Sequence, residues 1–121
     1  MVVKKISLES LGLWLPVFLF LGIIFYASTI PGKDISHFFS LQAAAYHLFV
    51  YLFLAFFLVR ALRRTYPDRP GIKIVFFVII FGIIYGIMDE FHQVFTPGRS
   101  VSGFDVFIDS LGTIIGSIIY R

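Results

Sequence analysis

The sequence predicts an all-α membrane protein, a four-transmembrane-helix antiparallel bundle with short loops. Three observations carry that expectation. Of the 121 residues, 59% are hydrophobic and only 14% charged, with a mean hydropathy of +0.93, too little polar composition to clothe a soluble core of that size. Four apolar runs have about the length, roughly 20 residues, that a hydrocarbon core of about 30 Å demands. The segments between them are short, which forces neighbouring helices to run antiparallel and makes residues 1–121 a single integral membrane domain.

The first span covers residues 11–30 and carries no charge. Met1, Lys4 and Lys5 precede it as they would a signal peptide, but the run is too long for an h-region, Glu9 interrupts the basic flank and no small-x-small site ends it. It therefore reads as a retained helix. Pro31-Gly32 stops it, and Asp34 stands where it would cap a short interfacial helix through His37, Phe38 and Phe39. The second span, 43–62, is entered at Tyr46 and His47 and closed by Arg60, Arg63 and Arg64. The third, 74–93, follows Lys73 and is apolar as far as Met88. Pro97-Gly98 fits the central pair of a type II turn, with proline fixing φ and glycine accepting a positive φ. Ser102 with Asp105 reads as a capping pair for the fourth span, 104–120. The sixteen phenylalanines read as lipid-facing bulk.

A sequence pI of 9.4 raises nucleic acid as a partner, yet the ten Lys and Arg form no contiguous stripe, which excludes it. Topology explains them: Lys4, Lys5, Arg60, Arg63, Arg64, Arg69, Lys73 and Arg121 fall on one side of the four spans, and only Lys33 and Arg99 on the other. The positive-inside rule then places both termini in the cytoplasm, and membrane lipids touch the cationic turns. Cysteine is absent, so disulfides and thiolate chemistry are excluded.

Charge within the last two spans is the main functional signal, because an ionisable group at that depth is costly. At 1.5 Å per residue from Lys73, the third span reaches the outer edge near Gln93, with Asp89 and Glu90 just below it. Counting back from Arg121 puts Asp105 about 5 Å and Asp109 about 10 Å inside the edge. Gly82, Gly86, Glu90 and Gln93 form one helical stripe, with Asp89 and His92 beside it, while Asp105, Asp109, Gly112 and Gly116 line up on the fourth span. Glycine seams allow close helix approach in lipid, so the two seams are expected to pack on each other and close a polar pocket at the outer leaflet. Its candidate residues are Asp89, Glu90, His92, Gln93, Arg99, Asp105 and Asp109. Four acids there face few cations, so either some stay protonated or a cation or cationic group completes the site.

The run Asp89-Glu90-Phe91-His92-Gln93-Val94-Phe95-Thr96-Pro97-Gly98-Arg99-Ser100, followed by Asp105, Asp109, Gly112 and Gly116, resembles the signature of the VanZ-like membrane proteins. Ser28 with Pro31-Gly32, and the pair His47 and Tyr51, are similar to looser features of that family. They make Ser28, His47 and Tyr51 secondary candidates. Asp109 stands where the family pattern carries Asn. The resemblance implies a small bacterial membrane protein and, through the founding member, a link to resistance against the glycopeptide teicoplanin. It implies no defined biochemical activity.

Three functional classes follow. A binding or shielding protein would engage a lipoglycopeptide tail or a lipid-linked cell-wall precursor, with Arg99 meeting an anionic head. An intramembrane hydrolase or transferase would use Glu90 or Asp109 as base and His92 as acid, or hold a metal on Asp89, His92 and Asp109. No nucleophile elbow, H-E-x-x-H or arginine set typical of phosphatases accompanies those residues, and no cofactor is indicated. A proton- or ion-coupled carrier would relay charge through the acids and would need an oligomer for two gates. Against all three stands a hydrogen-bonded knot that only fixes helix packing.

Overall fold

Helix α1 (Leu8–Thr29) begins at Ser7, whose side-chain oxygen accepts from the Ser10 backbone N–H, and Glu9 in the first turn complements the helix dipole. It ends at Ile30, in extended conformation, because the following Pro31 disfavours helical geometry in the residue before it. Inside α1, Pro16 has no N–H to give the Gly12 carbonyl. Arg60 Nη2 of the second helix donates to that carbonyl instead, at 3.4 Å. The computed structural model describes residues 7–30, 40–98 and 103–120, with 40–42 as backbone only.

The other elements are α2 (Ser40–Thr65), α3 (Gly71–Gln93) and α4 (Gly103–Ile119). No strand occurs among the described residues. Pro67 and Pro70 confine the α2–α3 connection to a tight turn, and Arg63 and Arg64 occupy the last turn of α2, where the dipole favours cations. After α3 the chain turns through Pro97 and Gly98. Gly98 has a φ of 75°, as the predicted type II turn requires.

Three helices, Leu8–Thr29, Ala43–Thr65 within α2, and Gly71–Gln93, are long and apolar enough to cross a membrane. The fourth, at 17 residues, is shorter than these. The helices alternate in direction. At one end Arg64 pairs with Glu9 at 2.9 Å, Trp14 donates to Thr65, and the Arg63 guanidinium lies over the Tyr120 ring. At the other, Ser28 meets His92 and His47 meets Asp109.

Helix α2 is central, with 44% of its span buried against 17% for α1 and 22% for α3. It packs on all three neighbours, whereas α1 and α4 do not meet among the described residues. The apolar core runs from Leu13, Val17 and Ile24 through Leu54, Leu58 and Val59 to Ile74 and Val78. Outward faces carry Leu15, Phe18, Phe76, Phe107 and Ile118 exposed, the surface a lipid solvent accepts. The phenylalanines are not all of this kind: Phe20, Phe57 and Phe81 are half-buried against the core, and Phe20 stacks on Phe53 and Phe57.

The glycine seams also differ from expectation. Gly82 and Gly86 do face α4, where a methyl group would strike the Thr113 side chain and press on Asp109 at 3.2 Å respectively. Gly112 and Gly116 face α2, each against a backbone carbonyl oxygen, that of Leu48 or Leu52. Positions 109 and 112 are rotated by roughly 60° about a helix of 3.6 residues per turn. So α4 has two buried faces and wedges between α2 and α3. Its buried residues, Asp109, Gly112, Thr113, Gly116 and Ser117, are all small or polar. Thr113 and Ser117 return their hydroxyls to carbonyls of their own helix, so these two buried hydroxyls are satisfied without a partner on another helix.

Candidate functional site

At the end of the bundle away from the arginines, polar side chains from all four helices converge. His47, near the start of α2, directs Nδ1 to Asp109 Oδ1 at 2.7 Å. Asp109 is fully buried, which makes this the deepest ionisable contact in the described chain. Asp105, one turn earlier on α4 and half-buried, lies with Oδ2 3.9 Å from His47 Nε2, too far for a hydrogen bond. The second carboxylate oxygen of Asp109 has no hydrogen-bond partner among the described residues. It lies against Gly86, where the missing side chain makes room for it.

A second histidine pair joins α1 to α3. Ser28 Oγ is 2.7 Å from His92 Nδ1 and also 2.7 Å from the Phe25 carbonyl oxygen. The His92 ring stacks on Phe25 with centroids 4.9 Å apart. Thr96, just beyond α3, donates to the Ser28 carbonyl at 2.7 Å, satisfying an oxygen that the end of α1 leaves without a helical donor. Further down, Tyr85 also reaches α1, donating to the Leu21 carbonyl at 2.8 Å. Between the two histidines, Ile24, Ala27, Ser28, Tyr46, His47, Tyr51, Asp89 and Gln93 line a partly open cavity of about 10 Å³, the smallest volume that holds one water.

Of the residues singled out from sequence, Asp89, Glu90, Gln93 and Asp109 are buried at this end, and His92 and Asp105 are half-buried there. Arg99 lies outside the described residues, as do Lys33, the segment from Pro31 to Phe39 with its expected interfacial helix, and the Ser102 capping partner of Asp105. The cavity around His47 is lined from α1, α2 and α3, with Asp109 of α4 behind His47. One expectation is corrected: among the described residues, Asp89, His92 and Asp109 do not converge as metal ligands. His92 is bound to Ser28 and Asp109 to His47, and among the described residues no three His, Asp or Glu side chains could hold a metal ion.

The secondary candidates Ser28, His47 and Tyr51 thus lie at the centre of the arrangement. The signal for His47 and Tyr51 was their similarity to looser features of the family. That His47 meets Asp109, 62 residues away in the chain, is a property of the packing of α2 on α4. Thr96 and Tyr85 carried no signal of their own, since their partners are backbone carbonyls that any sequence provides.

An all-helical bundle with apolar outer faces, cations gathered at one end and a buried acid–histidine network at the other is the architecture of a small integral membrane protein. The VanZ/LLP1 family model matches residues 10–121, and the chain belongs to that family. Neither the curated proteins nor the solved structures offer a match.

Proposed function

We propose that this protein lies in the bacterial cytoplasmic membrane as four crossings with both termini in the cytoplasm. In this reading its acidic end faces outward and binds the polar head of an amphiphilic, lipid-linked cell-envelope ligand. The observation that supports the reading is the convergence of His47, Tyr51, Asp89 and Gln93 on one partly open cavity, with Asp109 behind, at the end of a bundle whose outward helix faces are apolar. A site with few fixed polar groups and apolar walls suits a ligand that keeps its tail in lipid and its head at the interface. Shielding of such a precursor would link the protein to glycopeptide resistance of the teicoplanin type.

The test is binding of a lipid-linked cell-wall precursor to the full chain in nanodiscs. Gln93→Ala and Asp89→Asn should each weaken binding at least tenfold, and expression of the wild type, but not of these variants, should raise teicoplanin tolerance in a susceptible host. Equal binding by wild type and both variants would refute the site.

A second reading, an intramembrane hydrolase or transferase on the same ligand class, is favoured by the two histidines. Each has one ring nitrogen held at 2.7 Å by a partner that can orient it for proton transfer.

A further inference from the structure

The geometry points to Ser28 and His92 as a nucleophile and its base for acyl transfer at an ester of a membrane amphiphile, with Tyr51 donating to the carbonyl oxygen under attack. This rests on the ligand class proposed above and adds to it a chemical step and the atoms that carry it.

The Ser28 hydroxyl has one proton and two acceptor-distance neighbours, the Phe25 carbonyl and His92 Nδ1, both at 2.7 Å. When His92 carries its proton on Nδ1, that N–H donates to Ser28 Oγ and the hydroxyl turns to Phe25, which is a packing contact. When the proton is on Nε2, Nδ1 accepts from Ser28, and the same 2.7 Å separation is that of a nucleophile and its base. A tautomer change alone converts one into the other. The ring is held for this by its stack on Phe25, and the Ser28 backbone by the bond from Thr96.

The second observation is independent. Tyr51 is 1% exposed and its hydroxyl has no hydrogen-bond partner among the described residues, although a buried hydroxyl left unsatisfied is costly. That side chain lines the same cavity as Ser28, and the cavity, about 10 Å³, fits a single oxygen atom. A substrate carbonyl oxygen placed there would accept a hydrogen bond from the Tyr51 hydroxyl, which strengthens as its negative charge grows, the arrangement that stabilises a tetrahedral intermediate.

The step balances without redox chemistry. Ser28 Oγ bonds to the ester carbon as its proton passes to His92 Nδ1. The ester C–O bond breaks, and the departing alcohol oxygen takes that proton. Water or a second alcohol then gives its proton to His92 and attacks the acyl carbon, the C–Oγ bond breaks, and Oγ recovers the proton.

An alkyl fluorophosphonate, applied to the full chain in nanodiscs, tests the nucleophile without knowledge of the substrate. Mass spectrometry should place the adduct on Ser28. Ser28→Ala should abolish it, His92→Gln should slow it at least tenfold, and Ser10→Ala at the basic end should leave it unchanged. Because the chain has no cysteine, Ser28→Cys introduces a sole thiol. Its alkylation by iodoacetamide at neutral pH should be at least tenfold faster than in Ser28→Cys/His92→Gln, since a neighbouring imidazole draws off the thiol proton. Absence of a Ser28 adduct together with equal alkylation rates would overturn the assignment, because a merely structural Ser28 would give that result. Precursor binding retained in that case would sink the chemistry alone. Labelling of Ser28 without precursor binding would sink the ligand class alone.

Discussion

Asp109 is a carboxylate with no exposed surface, and among the described residues His47 is the one side chain that hydrogen-bonds its oxygens, so the two stand or fall together. Removing one partner of a buried pair leaves an uncompensated charge or acceptor, at a cost of about 3–5 kcal/mol, whereas removing both costs much less. His47→Ala should therefore lower the thermal unfolding temperature sharply. His47→Ala/Asp109→Ala should be more stable than the two single losses added together, and additive losses would show that the contact carries no energy. Asp109→Asn should stay close to the wild type, because an amide oxygen still accepts from His47 Nδ1–H. The acids were legible in the sequence because charge stands out in an apolar chain. Their partner was less so, since His47 sits among ordinary apolar neighbours on a helix remote in sequence.

At the scale of the element, α4 is held by shape. Gly112 and Gly116 lie against the carbonyls of Leu48 and Leu52, and backbone cannot move aside as a side chain can. Gly116→Ala should force α4 off α2 and cost about 1–3 kcal/mol or more, the range for overpacking a filled interface. Gly22→Ala in α1 meets nothing within 4 Å and should leave stability unchanged or slightly raised, since alanine is the better helix former. Thermal unfolding of both variants in detergent checks the contrast, and equal effects would mean that the glycines are ordinary members of a membrane helix. The sequence revealed both seams but paired them with each other. A stripe of small residues marks a face that wants a close neighbour and carries no record of which helix fills it. On α4 the faces of 109/113 and 112/116 are too near in angle for spacing alone to assign them.

For the whole molecule, the number of helices was legible because hydropathy and proline-rich breaks are one-dimensional signals. The order of packing around α2 was not, because it depends on contacts between segments far apart in the chain. The segregation of charge leads to the broadest prediction. Arg60, Arg63, Arg64, Arg69 and Lys73 lie at one end, and Tyr120 at the close of α4 comes to that same end beneath Arg63. Helix α4, at 17 residues, is about 25 Å long, a few ångströms short of the hydrocarbon core. Local thinning or flanking polar groups absorb a mismatch of that size. A fluorescent protein fused after Arg121 should fold and fluoresce in the cytoplasm, and alkaline phosphatase fused there should stay inactive. The same phosphatase inserted after Gly98 should be active, because the turn between α3 and α4 is then on the outer side. Active phosphatase at both positions would leave α4 on the outer surface and reduce the crossings to three. Activity at the C-terminal fusion alone would invert the whole bundle and turn the His47–Asp109 end toward the cytoplasm, where no extracellular ligand could reach it.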